Sequence, residues 1–307
     1  MSSHTIAALD LGSNTFRLML AGVNGGDWAG KRVFQHIPRL SESLTDGGRF
    51  APAALTRAWA ALEDFHLKIE EAGAVRVLAG ATMAARLAAD GPDFMDGIKS
   101  RFGWETEILP GEEEARLTAT GVLTGLEPMP EEALIFDIGG RSTEFISAAR
   151  GRIRKSRSLA IGVVRLTEAF LNDPIRSGEL EAVAAEVRRV LGGADFSDVP
   201  AAPVLVGTAG TVTTVAALLL KLKEYQPELV NNARLERSAI EALLHGLASE
   251  TIAARVEKYG LHPRRADAIV AGLVLVLEIM DFFGQPWLLV SDNGLLEGIW
   301  LKAAGLL

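Results

Sequence analysis

The chain has 307 residues and a formal net charge of −8, a length natural for two domains of roughly 150 residues each. It contains no cysteine, which excludes a disulfide framework and a thiolate zinc site and fits a reducing cytoplasm. So acidic a protein is a poor generic binder of nucleic acid, and an anionic ligand would have to be held by local donors or a bridging cation. In chain order, 5–11 (TIAALDL), 16–23 (FRLMLAGV) and 31–40 (KRVFQHIPRL) read as a three-stranded meander, and the opening residues as a strand rather than a signal peptide. Residues 52–73 carry apolar side chains at helical spacing behind Pro52. Residues 74–80 form a short buried strand, 82–90 a helix that Thr82 is placed to cap, and 106–111 another strand. The helix over 112–125 opens with Glu112, Glu113 and Glu114, acids that suit the positive end of its dipole.

The second half starts over. Residues 133–140, 142–151 and 152–162 make another meander, followed by helices near 162–171 and 178–192 and the strand PVLVGTAG (203–210). A helix from Thr211, a long helical stretch, the strand PWLLVSD (286–292) and a last helix from Asn293 complete it. The apolar run 268–280 is too short to cross a bilayer and carries Glu278, so it reads as core or dimer interface, and no membrane partner is expected. A Pro- and Glu-rich linker lies at 125–132. The expected domains are 1–124, with 293–307 packing back on it, and 125–292.

Two segments share one grammar. ALDLGSNTFRL (8–18) and FDIGGRSTEF (136–145) each read Asp, apolar residue, Gly, then a small polar run, with a charged residue seven positions after the Asp: Arg17 in one, Glu144 in the other. They look like the first hairpins of two βββαβα units, a duplicated domain with a cleft between copies. Gly, Ser, Asn and Thr turns cluster N–H and hydroxyl donors with little bulk, which lets a backbone approach phosphate oxygens. One such turn is ordinarily just a hairpin. Two copies, with a third glycine turn (207–211) running from a strand into a helix, point to an anion site. Asp10, Asp137 and Glu144 crowding one cleft would raise each other's pKa or hold a hard divalent cation, and oxygen-only ligands favour Mg²⁺. The five histidines are scattered, and neither a Ser-His-Asp constellation nor a G-x-x-x-x-G-K-[ST] loop is present.

Taken in order, ALDLGSNTFRL, GATMAARLAADGPDF (80–94), GEEEARLTATGV (111–122), FDIGGRSTEF, SLAIGVVRLTEAF (158–170), VGTAGTVTTVAAL (206–218) and SDNGLLEGI (291–299) resemble a known family nearly end to end. It is the exopolyphosphatase / guanosine pentaphosphate phosphohydrolase family, in its short form, within the acetate and sugar kinase, heat-shock chaperone and actin superfamily. The resemblance implies an α/β fold of two ribonuclease-H-like (actin-like ATPase) domains with an interdomain cleft. It implies hydrolysis of a terminal phosphoanhydride, with inorganic polyphosphate or guanosine pentaphosphate (pppGpp) as substrate and Mg²⁺ as cofactor, in a cytoplasmic homodimer. By motif position Glu114 is the general base, and Asp137 and Glu144 bind Mg²⁺, with Asp10 a further metal candidate. Gly12, Ser13, Asn14 and Thr15 cradle phosphate from one lobe, and Gly139, Gly140, Ser142 and Thr143 from the other. Arg86 is the phosphate-facing arginine, and Gly207, Thr208, Gly210 and Thr211 form the third turn.

This chain departs from the family pattern twice. Arg141 stands where the loop normally has a third glycine, and Leu296 where G-x-R-E-G has its arginine. Arg141 is expected to contact substrate phosphate and partly replace the arginine missing at 296. The stretch RGRIRKSR (150–157) has five cations. It is read first as a solvated strand edge, and second as a track for a polyanion. Three rivals to polyphosphate hydrolysis stand beside it: pppGpp hydrolysis, a polyphosphate or alarmone sensor without turnover, and an ATP-dependent kinase.

Overall fold

A computed structural model describes residues 4–24, 27–201 and 203–307. The first meander is β1 (Thr5–Leu11), β2 (Phe16–Asn24) and β3 (Asp27–His36). Helix α1 (Pro52–Ala72) then leads to β4 (Arg76–Ala81), helices α2 (Met83–Leu87) and α3 (Gly91–Phe102), β5 (Glu105–Ile108) and α4 (Gly111–Thr124). The sheet order is β3-β2-β1-β4-β5, with the meander antiparallel and β4 and β5 parallel to β1.

The second unit repeats this plan with β6 (Glu132–Ile138), β7 (Thr143–Ala149) and β8 (Arg152–Leu159). After α5 (Val163–Phe170) and α6 (Glu179–Gly192) come β9 (Val204–Thr208), α7 (Ala209–Leu219) and α8 (Pro227–Val230). Then follow β10 (Arg234–Glu236), α9 (Arg237–Ala248), α10 (Ile252–Tyr259), α11 (Pro263–Ala266), α12 (Ile269–Phe282) and β11 (Trp287–Val290). The order β10-β11-β9-β6-β7-β8 is the first sheet again, with the short antiparallel strand β10 added at one edge. Helix α13 (Leu295–Ala303) ends the chain's regular structure. The chain divides into two compact units, the residues up to Gly121 together with Gly294–Leu307, and Val122–Asn293.

Side-chain alternation builds the cores. Along β1, Ala7, Leu9 and Leu11 enter the core shared with α1 and α3, while Ile6 and Ala8 face the other way, toward Leu117 of α4 and Leu296, Ile299 and Trp300 of α13. Burying side chains such as Phe16 and Phe65 contributes roughly 1.5–3 kcal/mol each. In the second unit α12 is buried along most of its length, with Glu278 paired to Arg188 at its edge, so the run that suggested core or interface contributes to the core.

Several expectations need correction. The third strand lies earlier than 31–40, spanning Asp27–His36, because Ile37, Leu40 and Leu44 turn inward and Pro38 interrupts pairing. Thr82 precedes α2 without a side-chain capping bond. Helix α3 and strand β10 are separate elements that the sequence pattern does not set apart. Leu296 is fully buried in the core with Ile6 and Met19. Among the described residues, no helix is long and apolar enough to cross a membrane.

Candidate active site

The shared grammar of the two hairpins has a geometric meaning. In β1–β2 register Asp10 pairs directly with Arg17, and in β6–β7 register Asp137 pairs directly with Glu144. Seven positions is the spacing that closes each hairpin, so each charged residue stands opposite its aspartate on the same face. Both turns close identically, Gly12 N–H donating to Thr15 O at 3.1 Å and Gly139 N–H to Ser142 O at 2.9 Å. A Cβ at Gly12 would come within 2.8 Å of Thr15 O, so the turn requires glycine there.

In the first unit Asp10 and Arg17 form an ion pair, Nη2 at 2.9 Å and Nε at 3.1 Å from the same Oδ2. Burial pushes the Asp10 carboxyl above its usual range; Arg17 opposes this, and the charge of Glu297 adds to it. Glu297 is buried too, paired with Lys31 at 2.8 Å and accepting the Gly294 N–H at 2.6 Å. The three glutamates opening α4 differ sharply. Glu112 is exposed, while Glu113 pairs with Arg116 and Lys302, which hold its carboxyl below its usual range against the cost of burial. Glu114 is buried and receives Nη1 of Arg86 at 2.5 Å. The same Nη1 donates to Leu109 O at 2.6 Å.

In the second unit Glu144 is buried, and its Oε1 accepts from Ser142 Oγ at 2.8 Å and Ser158 Oγ at 2.7 Å. Thr143 is fully buried with its hydroxyl on Ile161 O, so Ser142 and Thr143 brace the loop with their side chains. The carbonyls of Gly139 and Gly140 accept from Val163, Val164 and Arg165 at the start of α5. Gly162 packs so tightly on this loop that a Cβ would sit 2.4 Å from Arg141 N. Arg141 itself does not enter the left-handed region, so no glycine is required there. Its Nη1 lies 3.7 Å from Glu168 Oε2 of α5.

The third turn runs from β9 into α7. Thr208 is buried with its hydroxyl on Asn293 O, and the methyl-bearing side chain of Thr211 packs against Gly272 of α12. Ala209 adopts φ 69, a strained backbone for a residue with a Cβ. Sequence reasoning missed Arg265. Its guanidinium reaches Thr214 Oγ1 at 3.0 Å and passes close over Gly210. The only signal was an arginine pair just before the long apolar helix.

In the basic stretch 150–157, Arg150, Arg152 and Arg154 line one cavity, but Glu131 and Glu132 line it with them. Arg150 sits in a tight turn with Gly151, both at positive φ, and the register slips at Arg154. Arg154 pairs with Glu132 at 3.2 Å and Lys155 with Asp195 at 2.7 Å, while Arg157 pairs with Asp198.

Residues 34–306 match the Ppx/GppA phosphatase family. The chain belongs to that family. Exopolyphosphatase 2 of Mycobacterium tuberculosis is 32% identical over 321 residues, covering 99% of this chain and all of the relative. The crystal structure of the Aquifex aeolicus member of the Ppx/GppA family matches with a TM-score of 0.82 at 28% identity, covering 98% of this chain and 97% of that one. An exopolyphosphatase from Cytophaga hutchinsonii matches with a TM-score of 0.90 at 25% identity, covering 98% of each chain. The two solved structures share the two-sheet α/β architecture of this chain, the actin-like ATPase fold.

Proposed function

We propose that this chain is an exopolyphosphatase that releases phosphate from the end of inorganic polyphosphate. The observation that carries the reading is the buried Glu114, the one glutamate of the three held by an arginine from a separate helix, in a chain with two glycine-turn hairpins of identical closure. The end-to-end likeness to a protein named exopolyphosphatase supports it.

In this mechanism Glu114 takes a proton from water as the water oxygen bonds to the terminal phosphorus. The bond from that phosphorus to its bridging oxygen breaks, leaving orthophosphate and a chain one unit shorter. The N–H groups of the Gly12–Thr15 turn, in the same unit as Glu114, hold phosphate oxygens, and the Gly139–Thr143 turn of the second unit is a donor set of the same kind. Arg86, bound to Glu114, orients the base and offers its remaining donors to the terminal phosphate.

Mg²⁺ fits the donor set. Among the described residues no three acidic, histidine or cysteine side chains gather into a metal cage, whereas Mg²⁺ takes one or two carboxylates and completes its shell with water and phosphate oxygens. Asp137 and Glu144, directly opposite across β6–β7, supply such a pair, and like charges so placed are unfavourable without a cation. Asp10 is already engaged by Arg17 and is the weaker ligand candidate. When bound, Mg²⁺ would supply charge neutralisation at the phosphates. On this reading the enzyme works as a homodimer in the cytoplasm, which the absence of cysteine suits.

The test is phosphate release from long-chain polyphosphate, pppGpp and ATP compared side by side. Polyphosphate is expected to give the highest kcat/KM. Preference for pppGpp would change the substrate, and absence of release from all three would favour a binding protein.

A further inference from the structure

We infer that Arg57 is a positioning residue for the Gly12–Thr15 turn, acting through the segment that follows β3; this rests on reading that turn as a phosphate cradle. The segment 37–44 is anchored from below by Leu40 and Leu44, both buried in the core that holds Phe16. Its backbone meets the turn twice, Arg39 N–H donating to Asn14 O at 3.1 Å and Ser41 N–H to Ser13 O at 3.0 Å. A trans peptide plane points its C=O and N–H in opposite directions. Pinning the carbonyls of Ser13 and Asn14 from one side therefore aims the N–H groups of Asn14 and Thr15 to the other. Those are the donors the phosphate reading needs.

The Gly12 N–H to Thr15 O bond closes the turn, and the two bonds from the segment orient its peptide planes. The Oδ1 atom of Asn14 is buried without a hydrogen-bond partner, so it braces nothing. The pinning segment is itself strained, with Arg39 at φ 54 and Ser43 at φ 58. Arg57, half-buried on α1, holds it. Its Nε donates to Pro38 O at 2.7 Å and its Nη2 pairs with Glu42 Oε2 at 2.5 Å, so one planar guanidinium grips both ends of Pro38–Glu42. The geometry forms a chain from α1 to the segment to the turn, with no contact between Arg57 and the turn required.

The experiment is steady-state phosphate release from polyphosphate by wild type, Arg57→Ala, Arg57→Lys and Glu42→Gln. In Arg57→Ala the KM is expected to rise about tenfold with kcat within about twofold of wild type, the pattern of lost ground-state and transition-state binding together. Arg57→Lys should fall between, because a single ammonium cannot hold both acceptors, and Glu42→Gln should raise KM less than Arg57→Ala. If Arg57→Ala does not fold, Arg57→Lys carries the test, since it keeps the charge and the stem. An unchanged KM in the folded variants of an active enzyme overturns the role of Arg57 alone. A wild type that releases no phosphate overturns the functional reading, and this inference with it.

Discussion

Arg86 Nη1 lies 2.5 Å from Glu114 Oε2 and 2.6 Å from Leu109 O, bridging the buried glutamate of α4 to the end of the β5 segment. The arginine and the glutamate that sequence motifs single out separately are one pair, and the proposed mechanism makes that glutamate the base. A base held this way is fixed in orientation before substrate arrives, which is what positions a general base for water.

Glu114→Gln keeps size and hydrogen bonding to Arg86 but cannot take a proton. Turnover on polyphosphate is expected to fall ~10²–10⁴-fold with little change in KM. Glu112→Gln, at an exposed position, should behave like wild type. Equal turnover in wild type and Glu114→Gln, measured as phosphate release, would remove Glu114 from the base role.

Asp137→Asn and Glu144→Gln should each raise the Mg²⁺ concentration needed for half-maximal activity, and excess chelator should abolish turnover. Glu144→Gln also disturbs the hydroxyls of Ser142 and Ser158, which donate to its Oε1. Its effect is therefore expected to exceed that of Asp137→Asn on thermal stability. Full activity in chelator would rule out a carboxylate-bound cation.

Arg141→Gly separates substrate contact from backbone need. Because Arg141 keeps an ordinary φ, glycine relieves no strain and should lower stability by roughly 0.5–1 kcal/mol through the unfolded chain. If Arg141 reaches phosphate from its position near Glu168, the loss of a charged hydrogen bond, ~1.5–3 kcal/mol, should raise the KM for polyphosphate about tenfold or more. Increased turnover instead would mark the guanidinium as an obstruction.

Charge reversal at Arg152 and Arg154 is expected to leave the polyphosphate chain-length profile unchanged. Arg154 already pairs with Glu132, and Glu131 and Glu132 stand among the arginines of the same cavity, which offsets the positive charge that a polyanion track would need. A selective loss of activity on long chains, together with a flatter salt dependence, would restore the track.

The sequence by itself determined the duplicated βββαβα plan. Alternation in β1 and β6 and the spacing from Asp10 to Arg17 and from Asp137 to Glu144 are local properties of a hairpin, and they survive any tertiary arrangement. It also singled out Glu114, through its place in a motif, although all three glutamates look alike as helix-start acids. Only the tertiary structure decided what those side chains touch. Arg86 meets Glu114 across a separation of 28 residues, Arg265 reaches a turn more than fifty residues before it, and Leu296 proves to be core. Even the conformation of Arg141 depends on Gly162, whose missing side chain lets α5 press against the loop and accept its shape. Such contacts depend on how helices and loops stack on a sheet, and packing carries no fixed period that a linear pattern can record.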